Sequence, residues 1–538
     1  MADLPSISSL VDTVRRTGLF DPRRGVALTL ALTRWGPTLA ASVAAAATTT
    51  PSRTAVVDDR GSTSFAELDR SSSKLAEGLR SLGLERGDQL GVACRNHREF
   101  VEVTLAAAKA GLAVVYLNTG FSGPQLLDVA RREGIDALVI DADLLASMEF
   151  DRDVDSLSVP VVVVPVDLVP VDAAIPRAAR RLDEVRASTQ RFALTPSRPL
   201  APILLTSGTT GTPKGARRNG GFAASAALGI VQEIPYRSDD VIAITSPLFH
   251  AWGLAQLGIA LSLGATVVVS SSFDAAATLE QVERVGATVL AVVPVILQRL
   301  LAEPSLGSTD LSSLRIVASS GSALPEPVVV DWLTRVGPNL YNLYGSTEVG
   351  QATLAVPAEL VAEPRTAGHV LPGAVVEILD DAGERVAAGG VGRIFVGGGA
   401  QFDGYTGGGG KEVVDGLMST GDVGYFDAHG LLYVTGRADD MIVSGAENVF
   451  PQEVEDLLLA HPAIVDVAVV GVDDEEFGQR LVAHVVRAPG AKISAAQVRR
   501  LVAEHLARHK VPRDVTFVAE IPRTLTGKVR RASLSADS

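Results

Sequence analysis

Positive charge, cysteine and long apolar runs are all scarce in this chain, and each scarcity removes a class of function. With 62 acidic against 48 basic residues, the formal net charge is -14. Such a surface repels polyanions, so nucleic acid is not an expected partner. The single cysteine, Cys94, excludes an intramolecular disulfide framework and a cysteine-based metal cluster, which fits a reducing, cytoplasmic setting. A membrane helix needs about 20 uninterrupted apolar residues. Residues 26–47 come nearest, but Arg34 and Pro37 break them and alanine fills their second half. They read as a helical hairpin packed on the body, with peripheral membrane contact beside Arg15, Arg16, Arg23 and Arg24 as the alternative. The order of basic, apolar and small residues that marks a secretory leader is not expected here.

What is present fits a globular enzyme: 538 residues, 47% hydrophobic and 20% charged, more than one hydrophobic core normally supports. Runs at 112–118, 136–141, 159–165, 241–247, 265–271 and 287–294 are rich in Val, Ile and Leu without polar alternation, as in parallel strands buried on both faces. Helical segments lie between them. Ser64 and Glu67 form a capping box before Leu68, Leu75 and Leu79, and Ser122, Pro124 and Gly134 frame another helix. The repeating β, α, β order predicts an α/β fold with doubly wound sheets in a large N-terminal domain. After about residue 365, short strands and glycine turns predict a small β-barrel unit. From Pro451 a helix, two strands near 465–471 and 480–487, and a helix near 493–508 predict a small C-terminal α+β domain. The expected boundaries are a helical extension at 1–50, the large domain at 51–436 and the small domain at 437–538.

The strongest local signal is TSGTTGTPKG at Thr206 to Gly215, directly after the apolar ILL. Gly208 and Gly211 let backbone amides approach a polyphosphate, the hydroxyls of Thr206, Ser207, Thr209, Thr210 and Thr212 can donate to phosphate oxygens, and Lys214 adds a point charge. No Gly-Lys-Ser/Thr ending opens a helix, so this is not a Walker A loop. Further along stand YNLYGSTE (341–348), STGD (419–422), TGR (435–437), GAENVFPQEVE (445–455) and PRTLTGK (522–528). Taken alone, Asp422 reads as a turn aspartate, Glu348 as a helix cap or solvated charge and Lys528 as a tail charge.

Together, in this order over roughly residues 50–535, these segments resemble the motifs of the adenylate-forming superfamily of acyl-CoA synthetases, peptide-synthetase adenylation domains and luciferases. The chain looks most like bacterial fatty-acyl-CoA synthetases. The resemblance implies ATP, Mg²⁺ and coenzyme A, and it implies roles. Tyr344 would pack along adenine, with Tyr341, Asn342, Gly345 and the stretch Gly321, Ser322 and Ala323 around the nucleotide. Thr347 would bond the α-phosphate and Glu348 would hold Mg²⁺, which commonly takes only one or two protein carboxylates. Asp422 would accept from the ribose hydroxyls, and Arg437 would contact ribose or phosphates. Lys528 would bridge carboxylate and α-phosphate, Asp439 would serve as a hinge on which the small C-terminal domain is mobile, and Ser444, Gly445, Ala446 and Glu447 would face the pantetheine tunnel.

Substrate class is read from PLFHAWG (247–253), similar to the acyl-pocket entrance, with His250 as gate or carboxylate neighbour. No charged residue lies between Ala251 and Phe273, so an apolar tail is accepted and an amino acid's ammonium finds no ion-pair partner. The expected activity is a medium- or long-chain fatty acid–CoA ligase. An acyl-AMP ligase loading a carrier protein and a catalytically silent binding protein stay open, as does the choice between monomer and homodimer. Leu205 in place of an aromatic, the lack of a histidine at 216–220, and Gly407 to Gly410 depart from the superfamily pattern and bear on chain length.

Overall fold

The computed structural model describes residues 13–17, 21–147, 159–165, 179–190, 192, 194, 200–206, 213–217, 229–398, 400–444, 447–474 and 478–536. Two large sheets dominate. In the first, of nine strands, Thr54–Asp58, Thr266–Val268, Val241–Ile244, Val289–Val292, Ile316–Ser320 and Leu340–Ser346 run parallel, and Gly61–Ser64, Gly350–Ala355 and His369–Val370 close its edges antiparallel. In the second, of eight strands, Ile203–Leu205, Ala113–Tyr116, Gln89–Ala93, Ala137–Asp141, Val161–Val164 and Arg180–Arg181 form the parallel core. The unalternating apolar runs therefore became parallel strands covered on both faces, as continuous hydrophobicity requires. Val161–Val164 and Val289–Val292 are buried at every position.

The helices obey their end signals. Ser64 Oγ accepts from the Glu67 amide at 3.3 Å while the Glu67 carboxylate takes the Ser64 amide at 2.9 Å, starting Phe65–Ser81. Gly134, left-handed at φ 66°, ends Gly123–Glu133. Residues 26–47 fold as a hairpin of Pro22–Trp35 and Leu39–Thr49, turned at Gly36. Its inner face, Ala27, Ala31, Trp35, Ala40 and Ala41, is buried, while Val26 and Leu30 are 63% and 65% exposed. No helix among the described residues is long and apolar enough to cross a membrane.

The glycine-rich part beyond 365 forms a five-stranded antiparallel sheet of Ala374–Leu379, Gly392–Gly398, Val413–Val414, Leu417–Phe426 and Leu432–Arg437. One strand of this region, Gly404–Tyr405, instead joins the edge of the eight-stranded sheet beside Gly215–Arg217. The C-terminal piece has its own sheet of Ile442–Ser444, Glu447–Val449, Ile464–Asp474, Gly478–Arg487 and Asp514–Phe517. Its separate core includes Val454, Leu458, Val469, Ala483, Val498 and Val502.

The two large sheets are stitched where their strands end. Asn96, buried, donates from Nδ2 to the Ser246 carbonyl at 2.9 Å and accepts the Leu248 amide at 2.8 Å. Beside it His97 Nε2 lies 2.9 Å from Asp141 and its Nδ1 3.1 Å from Glu99. Burial opposes a charge on His97, but Asp141 and Glu99 outweigh it and hold its pKa up at about 9.

Candidate active site

Ligands of open α/β sheets sit beyond the carboxyl ends of the strands, and the sequence signals gather there. Thr206 follows Ile203–Leu205, and its amide bonds the Lys214 carbonyl at 2.9 Å. This closes a hairpin whose return strand is Gly215–Arg217. Ser207, Gly208, Thr209, Thr210, Gly211 and Thr212 lie outside the described residues. Gly321, Ser322 and Ala323 follow Ile316–Ser320, with Gly321 left-handed at φ 101°. Tyr341, Asn342, Tyr344 and Gly345 are in Leu340–Ser346, and Thr347 and Glu348 are in the turn after it. Gly345 tolerates no side chain, since a Cβ would lie 2.1 Å from the Gly350 carbonyl oxygen. His250 precedes the first turn of the helix Ala251–Leu263.

Asp422 corrects an expectation. It is no turn residue but stands inside the strand Leu417–Phe426, directly across from Arg437. Glycine at 421, with φ +84°, disguised a bulged strand as a turn. Its carboxylate accepts the Tyr344 hydroxyl at 2.6 Å and lies 3.6 Å from the Arg437 guanidinium. Burial raises its pKa, opposed by Tyr344, Arg437, Lys528 and Lys411. Burial, with the Asp422 charge, holds the Tyr344 phenol protonated, well above its ordinary value.

Glu348 accepts from the Ser346 hydroxyl at 3.0 Å and the Tyr405 hydroxyl at 3.2 Å. Lys214 Nζ rests 5.2 Å from the centre of the Tyr405 ring. Tyr405 thus links the phosphate hairpin to the acid, a role no sequence signal gave it. Each Glu348 oxygen takes one neutral hydroxyl, which leaves lone pairs and charge for a divalent cation.

Lys528 comes from the small domain on a tight turn. Its amide bonds Thr524 Oγ1 at 3.1 Å and its carbonyl accepts the Thr524 amide at 2.8 Å. Arg523 braces the turn, gripping Asp466 at 2.6 and 3.2 Å and the Gly527 carbonyl at 2.8 Å. Gly527, left-handed at φ +82°, lies against Val295, where a Cβ would come within 2.7 Å of Cγ1. So docked, Lys528 acts electrostatically on Glu348, Asp422, Arg437, Lys411 and His250. Burial and then Arg437 lower its pKa, against the pull of Glu348 and Asp422. Burial and Lys528 together press His250 down to about 3. At neutral pH His250 is therefore an uncharged hydrogen-bonding group.

Arg437 lies 3.4 Å from Asp439, which sits in the single turn Ala438–Asp440 with its side chain exposed. Ser444 and Glu447 pair across a hairpin in the small domain's sheet. Both stand apart from the hydrogen bonds of the Lys214, Glu348, Asp422 and Lys528 group, and Gly445 and Ala446 lie outside the described residues. Sequence reasoning missed Tyr405 and Lys411, because both sit beside the glycine run Gly407 to Gly410, outside every motif.

A family model described as AMP-binding enzyme matches residues 43–406, and its C-terminal domain model matches 453–528. An indoleacetate–CoA ligase of Aromatoleum aromaticum is 34% identical over 488 residues, 89% of this chain and 94% of its own. A feruloyl-CoA synthase of Amycolatopsis is 32% identical, covering 90% and 96%. A fatty acid–[acyl-carrier-protein] ligase of Streptomyces coeruleorubidus is 29% identical, covering 90% and 93%. Among solved structures, the o-succinylbenzoate CoA synthetase of Bacillus subtilis with its acyl-adenylate intermediate superimposes with a TM-score of 0.79 at 27% identity, over 92% of this chain and 97% of its own. The chain belongs to the AMP-binding enzyme family. It is an AMP-forming acid–thiol ligase that uses ATP and coenzyme A. The expectation of a fatty-acyl-CoA synthetase in particular is coarsened, since the relatives include several named for aryl acids.

Proposed function

We propose that this ligase activates an apolar monocarboxylic acid, a medium- or long-chain fatty acid, by joining it to AMP and passing the acyl group to coenzyme A. The carrying observation is the convergence of Lys528, from the small domain, with Glu348 and Asp422 from the large one and Arg437 at the boundary between them. Joining two anions requires fixed positive charge at the meeting point and alignment of the partners. A carboxylate oxygen attacks the α-phosphorus, the bond to the β,γ-diphosphate breaks, and pyrophosphate leaves. Asp422 accepts from the ribose hydroxyls and Arg437 pairs with the nucleotide. Thr206, Thr347 and Lys214 hold phosphate oxygens, and Lys528 offsets the charge between carboxylate and α-phosphate. Tyr344 packs along adenine beside Gly321, Ser322 and Ala323. Glu348 would hold Mg²⁺, which supplies charge neutralisation at the phosphates when bound. In the second step the coenzyme A thiolate attacks the acyl carbon, the acyl–phosphate oxygen bond breaks, and AMP leaves. We assign the domain change between the steps to Asp439, after which Ser444 to Glu447 face the pantetheine.

The tail's wall is uncharged. Trp252 is buried with its indole N–H on the Val292 carbonyl at 2.9 Å, and Phe249 lies against the His250 ring. An ordinary hydrophobic tail is stabilised by such a lining, while a second charge there would stay unpaired. The exposed Val26 and Leu30 beside Arg23 suit contact with an anionic lipid surface, from which a water-insoluble acid would come. Flotation with anionic vesicles should fail for Val26→Asp with Leu30→Asp; unchanged flotation removes that contact. The relatives named for indoleacetate and ferulate favour a second reading, an aryl acid. A coupled assay over acids from acetate through long-chain and aryl acids decides. The fatty-acid reading expects the highest kcat/KM above medium chain length with coenzyme A as acceptor. A peak on an aryl acid, or transfer only to a phosphopantetheinyl carrier, overturns it.

A further inference from the structure

We propose that Lys411 is a further ATP-binding residue, a cation of the large domain that holds the nucleotide's phosphates beside Arg437. The inference rests on the adenylation reading above and extends it to a residue outside the motifs.

Lys411 follows the run Gly407 to Gly410, and its backbone is pinned on both sides. Upstream, the Tyr405 amide bonds the Gly409 carbonyl at 3.1 Å and the Gly408 amide bonds the Tyr405 carbonyl at 2.9 Å. Downstream, the Ser419 amide bonds the Glu412 carbonyl at 2.9 Å. Glycines thus bend the chain tightly and deliver the next side chain to a set place. That place is Gly421, the residue before Asp422. A Cβ on Gly421 would lie 3.0 Å from Arg437 Nη2 and 3.6 Å from Lys411 Nζ, so the two cations flank a single point. Lys411 also acts electrostatically on Asp422 and Lys528.

The carboxylates nearby are already engaged. Asp422 takes Tyr344 and Arg437, Glu348 takes Ser346 and Tyr405, and Glu412 pairs with Arg393. Among the described residues Lys411 has no hydrogen bond or ion pair of its own. Lys411, Arg437 and Lys528 thus gather on Asp422, Lys528 also acts on Glu348, and Lys214 lies over the Tyr405 ring that bonds Glu348; with Asp439 paired to Arg437, four cations meet three carboxylates in a chain whose net charge is -14. A local surplus of cations against that acidic background is costly unless an anion fills it. A nucleotide polyphosphate carries the matching charge. Lys528 belongs to the small domain, whereas Lys411 lies on the same body as Asp422 and stays with the nucleotide if the small domain turns away.

The test is Lys411→Gln in the full chain, with Lys411→Arg as the conservative control and melting curves to verify folding. Loss of a charge-assisted contact should raise KM for ATP, and Kd in direct ATP titration, by about tenfold or more. KM for the acid and for coenzyme A should change little. Arginine should restore most of the loss, and the ATP KM of the glutamine variant should respond less to added salt. An unchanged ATP KM and Kd overturn the proposal, as does an effect confined to coenzyme A, which would assign Lys411 to that ligand's phosphates. Failure of the adenylation reading is distinguishable, because the unsubstituted enzyme would then show no acid-dependent pyrophosphate exchange.

Discussion

The Lys528 charge acts on His250, and burial bears on both groups. Burial and then Arg437 place the Lys528 pKa below that of an ordinary lysine, against the pull of Glu348 and Asp422. Adenylation, which uses the ammonium, should therefore decline on the alkaline side before free lysine titrates, which begins near pH 10.4. His250, pressed down to about 3, should contribute no inflection between pH 6 and 7. A pH profile of pyrophosphate exchange for the enzyme and for His250→Ala checks both, and an inflection near 6.5 that vanishes in the variant contradicts the neutral role. These electrostatic identities were not legible in the sequence. The motif around Lys528 named a functional lysine, but its neighbours Glu348, Asp422 and Arg437 stand 91 or more residues earlier in the chain. Tyr405 and Lys411 were invisible for the same reason: each is an isolated residue whose meaning is spatial.

At the scale of elements, Asn96 joins the eight-stranded sheet to the loop that carries His250, and His97 beside it is held by Asp141 and Glu99. The His97 interaction has a sign that can be worked out. Its folded pKa, about 9, exceeds the unfolded value near 6.5. The stability it contributes is therefore fully present below about pH 6.5 and is lost as pH rises to about 9. Denaturant melts should show the parent losing stability across that window while His97→Gln has a flatter profile, and parallel profiles would refute the pairing. The strands and helices themselves were well announced. Continuous apolar runs, the Ser64 capping box and the Gly134 stop are local signals, and local physics decided them. The strand carrying Asp422 was misread because Gly421 marks a bulge and a close approach of Arg437, features set by a partner strand. The edge strand Gly404–Tyr405 escaped notice because two residues carry no periodicity.

At the scale of the whole molecule, Lys528 of the C-terminal piece joins Glu348, Asp422 and Arg437 in one electrostatic cluster. The hairpin over 26–47 and the doubly wound sheets followed from composition and pattern, whereas docking of the Thr524 to Lys528 turn on Val295 is long-range and left no local trace. If Asp439 is the point at which the domains change orientation, Asp439→Pro, at an exposed side chain, should spare acyl-adenylate formation and slow thioester formation roughly tenfold or more, as hinge restriction can. Rapid-quench measurement of the two half-reactions checks this, and equal loss of both steps counts against a hinge. Acid-dependent pyrophosphate exchange by Lys528→Ala, measured alongside ATP titration, tests this convergence. ATP binding should stay close to that of the parent while exchange falls by roughly a hundredfold or more, the scale of losing a charge aimed at the reacting centre. Exchange at the parent's rate would contradict it.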